Sequence, residues 1–311
     1  MGGIVDVLVS GGSGFLGQKV VSRLLDEGHS VTVISRRSGK SAFPDYGGRF
    51  QTVTWDGLSG AAVASRCDAV IHLAGEPVFP GFWTEAKKER LLSSRVATLE
   101  RMLTVLRQGG ASPRCLVSAS AIGIYGNSGD VEVDESSVLG SDFLADLVVR
   151  WERSALEESK GIFSNIRAIS LRFGVVFASD GGVLKRLIPL FKMGLGGRLG
   201  AGTQAMSWVH ADDAVESIML ALNNPNVNGA YNVVAPEVVT NSEFTRVLAN
   251  ALSRPAFFFV PAWIIRVVFG EGSCVVLDGQ RVSGKKLVEA GFAYRFKTLE
   301  SALRNIIVRT A

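Results

Sequence analysis

The chain has 311 residues, 47% of them hydrophobic and 20% charged, with a formal net charge of +4. That is enough apolar material for a full-sized core. The basic excess is scattered in pairs such as Lys87-Lys88 and Lys285-Lys286 and forms no long run, which argues for a solvated surface and against a nucleic-acid binder.

Three cysteines, Cys67, Cys115 and Cys274, are odd in number and far apart. They form no disulfide framework and fit a reducing compartment. No signal peptide is expected ahead of the first apolar run, and Asp6 stands where a myristoylation site needs Ser or Thr. The expected location is the cytoplasm, or a reducing organelle interior if a transit peptide has been removed. The most apolar window, residues 257–269, is interrupted by Pro261 and Arg266. It is too short to span a bilayer and predicts a core or interface helix, with no membrane insertion.

In chain order, the apolar run 4–9 predicts a first strand, which opens into Gly11-Gly12-Ser13-Gly14-Phe15-Leu16-Gly17. Phe15, Leu16, Val20, Val21, Leu24 and Leu25 follow at helical spacing, and Gly28 ends the helix. A second apolar run, 31–34, ends in Ser35-Arg36-Arg37. Strand, glycine turn, helix and strand in this order make a dinucleotide site. The first glycine permits the tight turn, the second admits a pyrophosphate, and the third lets the helix pack close, with its positive end on the phosphates.

Further strands are predicted at 50–55, 69–73, 114–118 and 166–173, with helices at 87–106 and 143–158 between them. Alternation of this kind predicts an α/β fold, a Rossmann-type doubly wound parallel sheet whose ligands sit beyond the carboxyl ends of the strands. From about 181 the pattern loosens. Residues 194–202 form a glycine-rich stretch outside any strand-to-helix context, which predicts a mobile lid or a substrate-side loop. Asp212 or Asp213 is expected to cap a helix over 214–222. The end of the chain predicts a Pro-flanked apolar helix, a short helix near 284–290 and a terminal helix. His29, His72 and His210 have no metal-ligand spacing, so no metal is expected.

The G-x-x-G-x-x-G spacing resembles the extended, epimerase-like branch of the short-chain dehydrogenase/reductase superfamily. Segments along nearly the whole chain are similar to one atypical subfamily of it, the "epimerase family protein" group that includes family 39U. They include Ile71-His-Leu-Ala-Gly-Glu-Pro77, Ser118-Ala-Ser-Ala-Ile-Gly-Ile-Tyr-Gly126, Arg172-Phe-Gly-Val-Val176, Trp208-Val-His-Ala-Asp-Asp213 and Tyr231-Asn-Val-Val-Ala-Pro236.

The resemblance implies a Rossmann domain over 1–253 and a small C-terminal domain over 254–311. It also implies cofactor contacts from Gly11, Ser13, Gly14, Phe15, Leu16 and Gly17 to the pyrophosphate. Leu73, Ala74 and Gly75 would line the adenosine and ribose, Arg95 would reach the dinucleotide, and Gly174 and Val175 would lie near the nicotinamide. Ser35, Arg36 and Arg37 stand where an NAD-type protein carries a carboxylate, and arginine forks suit a 2′-phosphate, so the expected cofactor is NADP.

The superfamily's Tyr-x-x-x-Lys pair is missing. Four residues after Tyr46, Tyr125, Tyr231 and Tyr294 stand Phe50, Gly129, Ala235 and Thr298. The remaining candidates for proton transfer are Ser120 and Tyr125. The expected function is an NADP-dependent oxidoreductase acting on the carbonyl or hydroxyl group of a small-molecule substrate, with an atypical proton donor. The alternative is a non-catalytic NADP-binding regulatory protein, for example a cell-division or plastid-division factor.

Overall fold

The computed structural model describes residues 5–36, 43 and 46–309. Apolar stretches supply the strands of one parallel sheet: β1 (Asp6–Ser10), β2 (Ser30–Ser35), β3 (Phe50–Thr54), β4 (Ala69–His72), β5 (Cys115–Ala121), β6 (Arg167–Phe173) and β7 (Gly229–Val233). Their order is β7-β6-β5-β4-β1-β2-β3. The expected doubly wound α/β fold is the one the chain builds, with the seventh strand added by the Tyr231 segment. The strand order reverses between β1 and β4, which opens a crevice at their carboxyl ends.

Alternate residues along each strand face opposite layers. Val7, Val9, Ile71, Val117 and Leu171 pack under α1 (Phe15–Asp26). Leu8, Val70 and Leu116 pack on the other face against Leu99, Met102, Leu103 and Leu106. Both faces are therefore dry, which is why these strands read as near-continuous apolar runs.

The single helix predicted over 87–106 is two, α2 (Glu85–Ser93) and α3 (Val96–Gln108). The break falls where Ser94 and Arg95 turn back to the segment after β4. The Ser94 hydroxyl accepts from the Glu76 N–H (3.0 Å), and Arg95 donates to the Glu76 carbonyl (3.0 Å). The helix predicted over 143–158 is α-helical only over α4 (Phe143–Arg153), and a π-turn, Ser154–Glu158, carries the chain on.

Beyond β6 the chain forms α5 (Leu184–Lys192), α6 (Ala211–Asn223), α7 (Asn241–Ala251), α8 (Ala262–Phe269) and α9 (Leu299–Val308). Neither Asp212 nor Asp213 caps α6. That helix starts earlier than expected, and the His210 side chain accepts from the Asp212 N–H. Asp213 instead accepts from the Arg295 and Phe296 N–H groups (2.9 and 3.0 Å), pinning the end of the chain to α6. Phe244 and Leu248 of α7 share a core with Leu299, Leu303 and Ile306 of α9.

The glycine-rich stretch is tied down and is no free lid. Gly197–Leu199 pairs in parallel with Phe258–Val260, and the Leu199 N–H donates to Asn241 (2.9 Å). The apolar window 257–269 is not a core helix either, since only Ile265 of α8 is buried. Among the described residues no helix is long and apolar enough to cross a membrane.

Arg167, the first residue of β6, closes the far end of α6. Its guanidinium donates to the carbonyls of Ala221 (2.7 Å), Leu222 (2.9 Å) and Val227 (2.9 Å), a cation on a helix C-terminus. Arg167→Ala should lower stability in urea denaturation by about 2–3 kcal/mol, since three carbonyls lose charged donors at once. An unchanged midpoint would mean that water replaces them at no cost.

Candidate functional site

The glycine turn sits in the crevice. Gly11 has φ +73°, a left-handed conformation that favours glycine. A side chain on it would meet the Leu73 carbonyl carbon at 2.6 Å and the Ala74 nitrogen at 2.7 Å. The exits of β1 and β4 therefore lie backbone against backbone. A Cβ on Gly17 would stand 2.1 Å from the Gly11 carbonyl oxygen, so only glycine lets α1 begin this close to the turn. Gly14 occupies the N-cap with no side-chain bond, and the first turn holds no acid. The first N–H groups of α1 and its positive end are left to an anion. Arg36 leaves β2 exposed at the same edge of the sheet. Arg37 lies outside the described residues.

Other expected contacts have visible structural duties. Arg95 is buried. It donates to the Leu91 carbonyl (2.9 Å) and the Glu76 carbonyl (3.0 Å), and its guanidinium lies 5.0 Å from the Trp151 ring centroid. Burial lowers its pKa to about 10, against the pull of Glu76. The side chain thus clamps the Gly75–Glu76 loop beside the crevice. Gly174 and Val175 leave β6 tied to the Val233 and Ser207 carbonyls (3.1 and 2.9 Å). A contact with no local signal in the sequence closes the front of α1. Lys19 pairs with Asp180 (2.8 Å), and the Phe15 ring fills the space beside Gly181.

Ser120 lies within β5, and Tyr125 ends the short helical turn Ile122–Tyr125 that follows. Parallel register places Ser120, Arg172 and Asn232 side by side on three neighbouring strands. Glu152 reaches them from α4. The Ser120 hydroxyl donates to Glu152 (2.6 Å), and Arg172 forks onto the same carboxylate (2.8 and 2.7 Å). Arg172 also donates to the Tyr125 hydroxyl (2.8 Å), which donates to the Asn232 side-chain oxygen (2.7 Å). All five residues are buried.

Burial pushes the Tyr125 phenol up, and Arg172 opposes that shift. Burial also works against the Arg172 charge, but Glu152 overrides it and raises the pKa. The sequence pattern offered no lysine for Tyr125; tertiary structure supplies an arginine. Arg172 was legible only as a charge inside an apolar strand, and Asn232 carried no signal beyond its motif. On α4, where the resemblance would put the tyrosine at Phe143 or Leu144 and the lysine at Leu147 or Val148, the last two are buried apolar side chains.

One strand-pair deeper, Ser10 and His72 meet at 2.7 Å, with the His72 ring edge-on to Trp151 at 6.2 Å. Burial lowers the His72 pKa from 6.5 to about 4, so the ring is neutral in the fold. The unfolded chain then binds a proton that the fold refuses. Stability should be fully present above pH 6.5 and fall as pH drops from 6.5 towards 4. His72→Asn should make that limb shallower in urea titrations at several pH values, leaving the part that His210, also lowered by burial to about 4, contributes over the same window. An equally steep limb would assign the loss to other groups.

Comparison with known proteins agrees with this fold. Residues 7–234 match the family model described as "NAD dependent epimerase/dehydratase family", and residues 260–306 match a domain of unknown function, DUF1731. The chain is 37% identical to the "Epimerase family protein SDR39U1 homolog, chloroplastic" of Arabidopsis thaliana, over 97% of this chain and 86% of that protein. It is 36% identical to the SDR39U1 epimerase family protein of Bos taurus, over 97% and 99%. The solved structure of human SDR39U1 (isoform 2) with NADPH superposes with a TM-score of 0.86 at 32% identity, covering 97% of this chain and 98% of that one. The chain belongs to the NAD dependent epimerase/dehydratase family.

Proposed function

We propose that the protein binds NADPH in the β1/β4 crevice and acts as an oxidoreductase on the carbonyl or hydroxyl group of a small molecule. The observation that carries this reading is the pairing of an uncapped α1 N-terminus with Arg36, where a 2′-hydroxyl binder would place an acid. The human relative that was crystallised with NADPH supports it.

Gly11, Ser13, Gly14, Phe15, Leu16 and Gly17 would hold the pyrophosphate by backbone N–H groups and close approach. Ser35, Arg36 and Arg37 would take the 2′-phosphate. Leu73, Ala74 and Gly75 would line the adenosine and ribose, with Arg95 holding their loop in place. Gly174 and Val175 would border the nicotinamide, and the tail from 254 would form a small C-terminal domain on the substrate side. The free thiols of Cys67, Cys115 and Cys274 suit a reducing compartment. Arg36→Glu should weaken NADPH about 10–100-fold in calorimetry, because it exchanges a charge-assisted contact for repulsion. Equal affinity of the unaltered protein for NADH and NADPH would overturn the cofactor assignment.

When bound, NADPH supplies a hydride. The chain must then supply a proton to the substrate oxygen, and Ser120 and Tyr125 are the groups proposed for it. Glu152 and Arg172 hold both hydroxyls at the sheet edge. Both hydroxyl protons are already engaged and the phenol is shifted upwards, so turnover should be slow. That engagement also favours a second reading, in which NADPH binding sets a conformation without catalysis. A panel of carbonyl compounds with NADPH separates the two. Ser120→Ala or Tyr125→Phe should cost about 100-fold in rate if the hydroxyl transfers the proton. Undiminished rates would remove both residues from the mechanism, and tight NADPH binding without turnover on any compound would leave the second reading.

A further inference from the structure

The segment after α7 exposes three consecutive aromatic rings. Phe257 is 89% accessible, and Phe258 and Phe259 about half. Phe258–Val260 pairs with Gly197–Leu199 on one side only, in a two-stranded sheet. The Phe258 N–H donates to the Gly196 carbonyl (3.3 Å) and the Gly200 N–H donates to the Val260 carbonyl (2.9 Å). Residues 258 and 260 thus face the partner strand. In a parallel ladder the N–H and C=O of Phe259 then point the other way, where no strand lies among the described residues. This is an open edge of the kind that takes up an added strand.

A groove of about 540 Å³ runs beside these rings, and Arg198, Arg246 and Arg254 line it. Among the described residues no carboxylate forms an ion pair with any of the three. Glu243 influences Arg246 from a distance, without an ion pair, and one of its carboxylate oxygens accepts from the Thr240 N–H and hydroxyl (2.7 and 2.9 Å). Arg198 lies 5.0 Å over the Phe259 ring, so one of these charges stands directly on the open strand.

We propose that this edge and groove dock an extended, acidic segment of a partner protein, which adds a strand beside Phe258–Val260. Main-chain bonds to Phe259 would supply register, the exposed rings would receive alternate apolar side chains, and the three arginines would select carboxylates. A second copy of this chain fits poorly, because edge-to-edge pairing would bring two sets of arginines together. A lipid surface offers charge but no strand to pair with the Phe259 backbone.

The test pans the full chain against a display library of random twelve-residue peptides and measures the leading synthetic peptide by fluorescence anisotropy. The expected peptides are rich in Asp and Glu alternating with apolar residues, and their binding weakens with salt. Phe259→Pro removes the outward N–H together with the ring beneath Arg198, at a position where an edge strand tolerates proline. It should weaken binding tenfold or more without moving the thermal midpoint. The doubly charge-reversed variant Arg198→Glu with Arg246→Glu should do the same and stands in if the proline variant misfolds. Failure to enrich acidic peptides, or binding indifferent to both variants, would overturn the proposal. So would a concentration-dependent dimer in sedimentation velocity, or co-sedimentation with phosphatidylserine vesicles, if either was abolished by these substitutions.

Discussion

Two opposite charges, Glu152 and Arg172, stand out of water at the C-terminal edge of the sheet, and the candidate site is arranged by the need to satisfy them. Desolvating a carboxylate and a guanidinium costs several kcal/mol each, and a lone contact does not recover it. The recovery here comes from a two-pronged fork and from filling the remaining valences with Ser120 and Tyr125. The Asn232 side-chain oxygen then accepts the phenol's hydrogen bond, and its amide N–H donates on to the Ser283 carbonyl (3.0 Å). A single ion pair in this way ties α4, three strands and the segment 279–283 into one polar assembly inside an apolar layer. The same arrangement holds both candidate hydroxyls in place and restrains them, since their protons are already committed.

The β1/β4 crevice is built on a different principle, the absence of side chains. Gly11 and Gly17 bring backbone to within contact of backbone, so that α1, β1 and β4 converge with no atom between them. The electrostatic contribution comes from uncapped N–H groups and the absence of acid in the first turn of α1, with Arg36 adding charge at the neighbouring strand. Arg95 and the Lys19–Asp180 pair hold the rims of this crevice from opposite sides in sequence, one from the α2–α3 break and one from the loop after β6.

The end of the chain is attached through polar threads as well as apolar contact. Asp213 receives Arg295 and Phe296, Ser207 and Gly126 bind the segment around Gln280, and Lys88 reaches Glu271 at 2.8 Å. These contacts seat 270–283 across the carboxyl edge of the sheet and leave α8 and the Phe257–Phe259 run facing outward. The apolar character of that window therefore has a different cause from that of the strands. It is not core, and its exposure agrees with a surface meant to be covered by something other than this chain.

Much of the fold was legible because its signals are local. The glycine turn, the helical spacing after it, the apolar strands and the arginine after β2 all lie within a few dozen residues, and each obeys a steric or electrostatic rule that the sequence alone carries. The same locality misled where a tertiary contact overrode a local preference. The 87–106 helix is broken by Ser94 and Arg95 serving the β4 loop, and Asp213 of α6 is drawn to backbone more than 80 residues away. The buried polar network around Tyr125 was the least legible part. Arg172 and Tyr125 are 47 residues apart and Tyr125 and Asn232 are 107 apart. Sequence by itself determined the class of fold, the place of the anion cradle and the loss of the Tyr-Lys pair. Only the tertiary structure decided what surrounds Tyr125, because the register between parallel strands is set by the packing of the whole sheet, and that register is what puts Ser120, Arg172 and Asn232 in one row.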